Sequence, residues 1–431
     1  MQRGLEHLQI VVGITFLGFL FLSRPLTQVG FPSLVNMVHL SFIPLAFFLV
    51  FLRHQKNQVS LLLLTSAFWG VCLLSGAINS AGNLNVLLLG LIMTEPFILY
   101  LLLTTTAWSR LPKRALTTGV DFIMGLNFAF AGFQVLAQGH RGDDVRGIFI
   151  DAGAGSHLNG SVGLCYAIFV SALRQPEAKK STKVLVWVVA MGNVWLADAK
   201  TGILCLAVAL GALALVETKR PVRTFAIGLA AAVVASMLFY YVTEVIRITN
   251  VQRIVDGFTQ KFAVIGIINH EMSGVAESLF GLGPGHSISR VATMLPHYEW
   301  LSQYFHVTIH PLTDTVLFIN QEHYLTNSST GSSVYSMYNS WVAVWGDVGV
   351  VGFITYAILW YRTYKAGNDD IGIKLLVFFA VTMGLVFIYL GEPGFTGAVI
   401  LMIAASTRAP RSDHAVDSKP QKLPLLSTQP R

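Results

Sequence analysis

The sequence predicts an all-α fold: a polytopic membrane helix bundle of about 12 transmembrane helices, with a large outer helical loop between helices 9 and 10. Three observations lead there. Of the 431 residues, 54% are hydrophobic and only 12% charged, with mean hydropathy +0.61, whereas a soluble domain carries about 25% charged residues. Apolar stretches of the roughly 20 residues needed to cross hydrocarbon recur along the chain. That pattern stops once, over the 96 residues from Thr243 to Tyr338, and then resumes.

The first apolar run, Leu8 to Leu22, is followed by Ser23-Arg24-Pro25 without a small-x-small cleavage site. It reads as a retained helix, not a signal peptide. Spans follow at 8–23, 34–52, 59–78, 85–105, 116–136, 157–173, 184–199, 201–216 and 224–242, then at 340–361, 373–390 and 394–407. The seventh and eighth are short and nearly continuous, as in a tight hairpin. Residues 1–242 thus carry helices 1–9, 243–339 the outer loop with most of the site, and 340–407 helices 10–12. The polar segment 408–431 is expected to be a disordered cytoplasmic tail.

With the N-terminus inside, 21 of the 29 basic residues fall in inner segments. Lys/Arg bias in short loops sets orientation, so both termini are expected in the cytoplasm and the insertion outside. The net charge of +7 is therefore a topology signal, and with no basic stripe on a soluble face no nucleic-acid partner is expected. Cys72, Cys165 and Cys205 lie in apolar segments at unrelated spacings and read as buried small hydrophobes. No metal or cofactor motif occurs, neither HExxH nor a P-loop nor a dinucleotide fingerprint.

The insertion opens with Val251, Ile254, Val255, Phe258, Phe262 and Ile265 on one helical face, with Arg253 and Lys261 off it. Such a helix suits the membrane surface, or simply packing on the bundle. Gly281-Leu282-Gly283-Pro284-Gly285-His286 follows, either a tight turn or a nest of N–H groups that holds an anion. From His297 the chain runs through Tyr298, Trp300, Tyr304, Phe305, His306 and His310, rings that suit sugar stacking and the membrane interface alike. The Ser/Thr/Gly-rich run from Thr326 to Ser333 reads as a loop.

Charges at helix ends near hydrocarbon are functional candidates by default. Arg146 precedes the sixth helix, Lys200 caps the hairpin between the seventh and eighth, and Arg290 follows the glycine turn. Snorkelling, or a pair with Asp198, explains Lys200 as well. Glu95 precedes Pro96 and reads as a structural hydrogen-bonding group, Asp121 lies at the inner end of its span, and Glu392 stands at the outer mouth before Pro393.

The glycine turn and the helix that opens Tyr338-Asn339-Ser340-Trp341, with Asp347, Gly349 and Gly352 following, resemble the O-antigen polymerase and O-antigen ligase family. These are bacterial inner-membrane glycosyltransferases acting on undecaprenyl-pyrophosphate-linked oligosaccharide. The resemblance is specific from Gly281 to Gly352 and implies an acidic residue at Asp347. It also implies a histidine where this chain has Tyr338, a Ser-Arg where it has Ala199-Lys200, and an arginine upstream of the turn, matched by Lys261 with Arg253 nearby. The implied activity is polymerisation of a surface polysaccharide, with metal-independent transfer of one lipid-linked repeat onto a sugar hydroxyl of another. Arg146, Lys200, Arg253, Lys261 and Arg290 would hold pyrophosphate, the two lysines by point-charge attraction without a bidentate fork. Tyr338, His286 or His310 would serve the hydroxyl, with Gly281, Gly283, Gly285, Asn339 and Asp347 shaping the loop. Implied partners are membrane lipids and the pathway's chain-length regulator and flippase. Ligation onto lipid A core or protein is the nearest alternative, and transport without chemistry the more distant one.

Overall fold

The computed structural model describes residues 2–149, 155–173, 178–218, 251–326, 336–367 and 370–407. Among them every regular element is a helix. In chain order these are α1 (Gln2–Gln28), α2 (Val38–Leu52) entered through the turn Ser33–Met37, α3 (Val59–Ile78), α4 (Asn83–Leu103) and the short α5 (Thr106–Ser109). Next come α6 (Lys113–Leu136), α7 (Gly155–Ile168) extended by the wider turn Phe169–Leu173, α8 (Lys180–Leu196) and α9 (Lys200–Glu217). The inserted segment holds α10 (Val251–Glu271), α11 (Val275–Phe280), α12 (Arg290–Met294) and α13 (Pro311–Thr326). The chain then forms α14 (Ser340–Ala366), α15 (Ile371–Val386) and α16 (Pro393–Ser406).

Eight of these helical stretches are long and apolar enough to cross a membrane: α1, α2 with its leading turn, α3, α4, α6, α7 with its extension, α9 and α14. Helices α15 and α16 are apolar but shorter, and α8 has 17 residues. The expected ninth span at 224–242, the Ser/Thr/Gly run at 327–333 and the tail lie outside the described residues.

The bundle is organised around α4 and α16. All-round apolarity suits the lipid face as well as the centre, and it is packing that puts these two in the middle. In α4, 94% of the spanning window is buried, and every residue of α16 from Gly394 to Ser406 is buried. Around them pack α1 with α2, α3 with α14, α9 with α15, and α7 with α8.

One expectation is corrected. The eleventh span, expected to run to residue 390, stops as an α-helix at Val386, and Phe387–Glu392 crosses to Pro393 through a single 3-10 turn, Tyr389–Gly391. Phe387, Tyr389, Leu390 and Glu392 are all buried there. Irregular backbone at this depth requires protein partners, and Ser340 supplies them. Its N–H and hydroxyl both donate to Phe387 O (3.0 and 2.9 Å), and its hydroxyl accepts from Leu390 N–H (2.9 Å).

On α10 the residues that face inward are Gly257, Lys261, Val264, Ile268 and then Met272. Phe262 and Ile265 are exposed, and Lys261 is the residue that faces in.

Polar groups gather at two levels. At one, Glu6 of α1 pairs with Arg53 (2.7 Å) and with Arg110, while Lys374 pairs with Glu217 (2.7 Å). At the other, Arg24 near the far end of α1 pairs with Glu392. Glu6 and Arg24 are 18 positions apart on one helix, about 27 Å at the α-helical rise, close to the ~30 Å hydrocarbon thickness.

Candidate functional site

The glycine turn and Asp347 are brought together through main chain. Gly281, Gly283 and Gly285 all have positive φ (79°, 110° and 71°), and so does Gly349, which kinks α14 at φ 66°. A Cβ on Gly281 would lie 2.4 Å from Asp347 C, and one on Gly349 would lie 2.3 Å from Leu279 C. Only glycine combines that backbone conformation with so close an approach. Leu282 N–H donates to Gly346 O (2.8 Å) and Gly283 N–H to Asp347 O (3.1 Å), stitching the turn to the kink.

The Asp347 carboxylate is fully buried and accepts from Gly285 N–H (2.9 Å), Ser287 N–H (2.9 Å) and the Ser287 hydroxyl (2.5 Å). Helix α3 closes the joint, because Ser75 Oγ donates to Asp347 O and Asn79 Nδ2 to Gly281 O. The turn's N–H groups therefore cradle an anion that the chain itself provides.

His286 is built into this joint and is not free to act on a ligand. Its Nδ1 lies 2.9 Å from Leu282 O and its Nε2 2.7 Å from Thr308 Oγ1. His310 sits 5.5 Å ring to ring from His286, and its Nδ1 accepts from Leu312 N–H (3.2 Å) at the start of α13. Burial, followed by the neighbouring His286, pulls the His310 imidazole below the ordinary histidine value, with Glu271 opposing. The segment between them is hung on α4: Asn85 donates to Thr308 O and accepts from Thr308 N–H (2.7 and 3.2 Å).

Lys261 and Tyr338 also meet. The Lys261 side chain is fully buried, and Nζ donates to Ser336 O at 2.6 Å and lies 3.5 Å from Tyr338 O. The ammonium stands 5.3 Å from the Phe387 ring centroid. Burial pulls its pKa down to about 7. This contact uses the main chain of Tyr338. Asn339 next to it caps α14, its side chain accepting from Val342 N–H at 2.9 Å.

From Phe387 the cluster extends to α7 and the loop before it. The His157 ring packs 5.2 Å from that of Phe387, and His157 Nε2 is 3.6 Å from Asp143 Oδ1. Ser156 Oγ donates to the same Asp143 oxygen (3.0 Å), and Arg146 Nε donates to Asp143 O (3.2 Å). Arg146 also reaches Asp144 at 3.3 Å and is part-exposed. The loop is fixed by buried amides. Gln134 accepts from Arg146 N–H and Gly147 N–H (both 2.8 Å), Asn127 from Ile148 N–H (3.1 Å), and Asn159 donates to Val145 O (3.1 Å). Asn193 of α8 joins Asn159 at 2.8 Å, so α6, α7 and α8 all hold this one loop.

The other cations stand in pairs. Lys200 reaches Asp198 (2.8 Å) and lies 5.3 Å from the Trp195 ring centroid, with 46% of its side chain exposed. Arg290 Nε is 3.5 Å from Glu392 Oε2, whose other oxygen pairs with Arg24. The Arg253 side chain lies outside the described residues. Glu95, expected to be structural, pairs with His39 at 2.8 Å.

His157, Asp143 and the three asparagines were not singled out from the sequence. The available signal was a histidine and amides inside otherwise apolar helices, which hydrocarbon tolerates only when they have work to do. No family model matches this chain, and no curated protein does.

Proposed function

We propose that this protein is a bacterial cytoplasmic-membrane glycosyltransferase that polymerises a surface polysaccharide. It transfers a glycan from undecaprenyl pyrophosphate to a sugar hydroxyl of another lipid-linked repeat at the outer face. The supporting observation is one polar cluster at one end of an apolar bundle. It joins Lys261 and Tyr338 of the inserted segment to Phe387, His157, Asp143 and Arg146. A lipid-linked substrate needs a polar site at hydrocarbon depth, reachable from within the membrane plane. Arg146 and Lys200 offer part-exposed cations at the same loops. Under this reading the chain crosses the membrane about 12 times, with both termini in the cytoplasm.

The chemistry is positional and electrostatic. The acceptor oxygen attacks the anomeric carbon from the face opposite the diphosphate, the carbon–oxygen bond to diphosphate breaks, and configuration inverts. Fixed cations at the departing diphosphate lower the barrier where charge develops.

Deletion of the gene in its host, followed by analysis of surface glycan and lipid-linked precursors, tests the assignment. Single repeats left on lipid, with long polymer lost, are expected. Full-length polymer stranded on undecaprenyl pyrophosphate would identify a ligase instead, and an unchanged glycan profile would exclude both.

A further inference from the structure

His157 is unlike the other buried histidines among the described residues. His39 is bonded to Glu95, and His286 uses both ring nitrogens. The His157 side chain is 4% exposed, yet neither of its ring nitrogens has a hydrogen-bond partner. Leaving such a group unpaired is destabilising, so an orphaned imidazole calls for an explanation. At 3.6 Å, Asp143 is near enough to act on the ring by charge but too far for a hydrogen bond.

The placement is specific. His157 enters from the third position of α7, where Gly155 lets the helix start pass close to Phe149 O. Its ring lies against Phe387, the ring over which Lys261 Nζ is held. Asp143 is half-exposed, so the pair runs from the packed interior to the loop that carries Arg146. Asp143 is itself steadied by Ser156 Oγ. The charged groups acting on the imidazole are Asp143, Asp198 across the α8–α9 turn, and Lys261 of α10.

We propose that His157, oriented by Asp143, is the base that accepts the proton of the acceptor sugar hydroxyl. This rests on the glycosyl-transfer reading above. With Nε2–H turned to Asp143, Nδ1 carries the lone pair. As the hydroxyl oxygen bonds to the anomeric carbon, its proton passes to Nδ1. The diphosphate leaves with the electron pair of the broken carbon–oxygen bond. The imidazolium is stabilised by the Asp143 carboxylate and later returns its proton to solvent. The substrate hydroxyl is then the hydrogen-bond partner that the ring lacks.

The test uses the full chain in lipid nanodiscs with lipid-linked repeat units extracted from a host deleted for the gene, scored for polymer length between pH 5 and 9. His157→Ala should fall by about a hundredfold or more, and added imidazole should restore part of the loss, which a structural role would not allow. Asp143→Asn should move the acidic limb of the wild-type profile to lower pH, because the removed carboxylate favours the protonated ring. His157→Ala activity within threefold of wild type, or failure of imidazole to rescue a folded variant, would overturn the assignment. If His157→Ala does not fold, an acidic limb left in place by Asp143→Asn overturns it instead. Wild-type protein that makes no polymer from these substrates would sink the polymerase reading itself, a separate outcome.

Discussion

Asp347 is a fully buried carboxylate whose hydrogen bonds come from neutral donors, among them two main-chain N–H groups and the Ser287 hydroxyl. Asp347→Ala strands those three donors, at about 1–3 kcal/mol for each left unsatisfied. Thermal unfolding in detergent should show a large drop for Asp347→Ala and a smaller one for Asp347→Asn, which keeps one acceptor. Gly349→Ala should be at least as damaging. Its φ of 66° strains any side chain, and the added Cβ meets the Leu279 carbonyl carbon at 2.3 Å. The measurement is the yield of monodisperse protein on size exclusion, and a wild-type yield would contradict the close approach. The resemblance put Asp347 in register with the glycines, but it could not show what the turn's N–H groups do. They are occupied by Asp347, so the turn serves as a structural joint. The same limit applies to His286, whose two bonds come from residues 4 and 22 positions away.

Helix α10 is the element whose facing the sequence leaves most open. Apolar periodicity identified the helix and set Lys261 off its apolar face, but it could not say which face turns inward. Burial of Lys261 is driven instead by two carbonyls from the segment entering α14, a pairing across some 75 positions that no local pattern reveals. The buried ammonium has a pH signature. Its pKa is about 7 in the folded chain and about 10.4 when exposed. Between those values the unfolded chain holds a proton that the folded chain does not, so stability rises with pH across the interval. The charge itself is lost as pH rises through about 7. Activity that depends on this cation should therefore fall over the range in which the melting temperature climbs. Lys261→Met should abolish the climb, and an unchanged melting profile in that variant would refute the assignment.

At the level of the whole molecule, composition alone made an apolar helical bundle legible, because 12% charge leaves no other soluble or membrane class with so many long apolar runs. The central position of α4 and α16, and the early end of α15 at Val386, were not legible. Both depend on which helices surround which, and a run of apolar residues reads the same at the centre as at the lipid face. The expected orientation can be tested with cysteine accessibility. The three native cysteines are all buried, so background labelling by an impermeant maleimide should be low. Tyr304→Cys, at a site 72% exposed on the inserted segment, should label in intact cells. Arg110→Cys, at a side chain 60% exposed beside Glu6, should label only after the membrane is opened. The reverse pattern would invert the topology.

The way the inserted segment is hung has an evolutionary consequence. Two of its fastenings to the bundle use its main chain: the glycine turn on the α14 kink and Thr308 on Asn85. Between the two, Trp300, Tyr304 and Phe305 stand exposed. A fastening that ignores side-chain identity does not constrain the residues it displays. Such a platform can exchange its aromatic surface while the bundle beneath keeps its sequence.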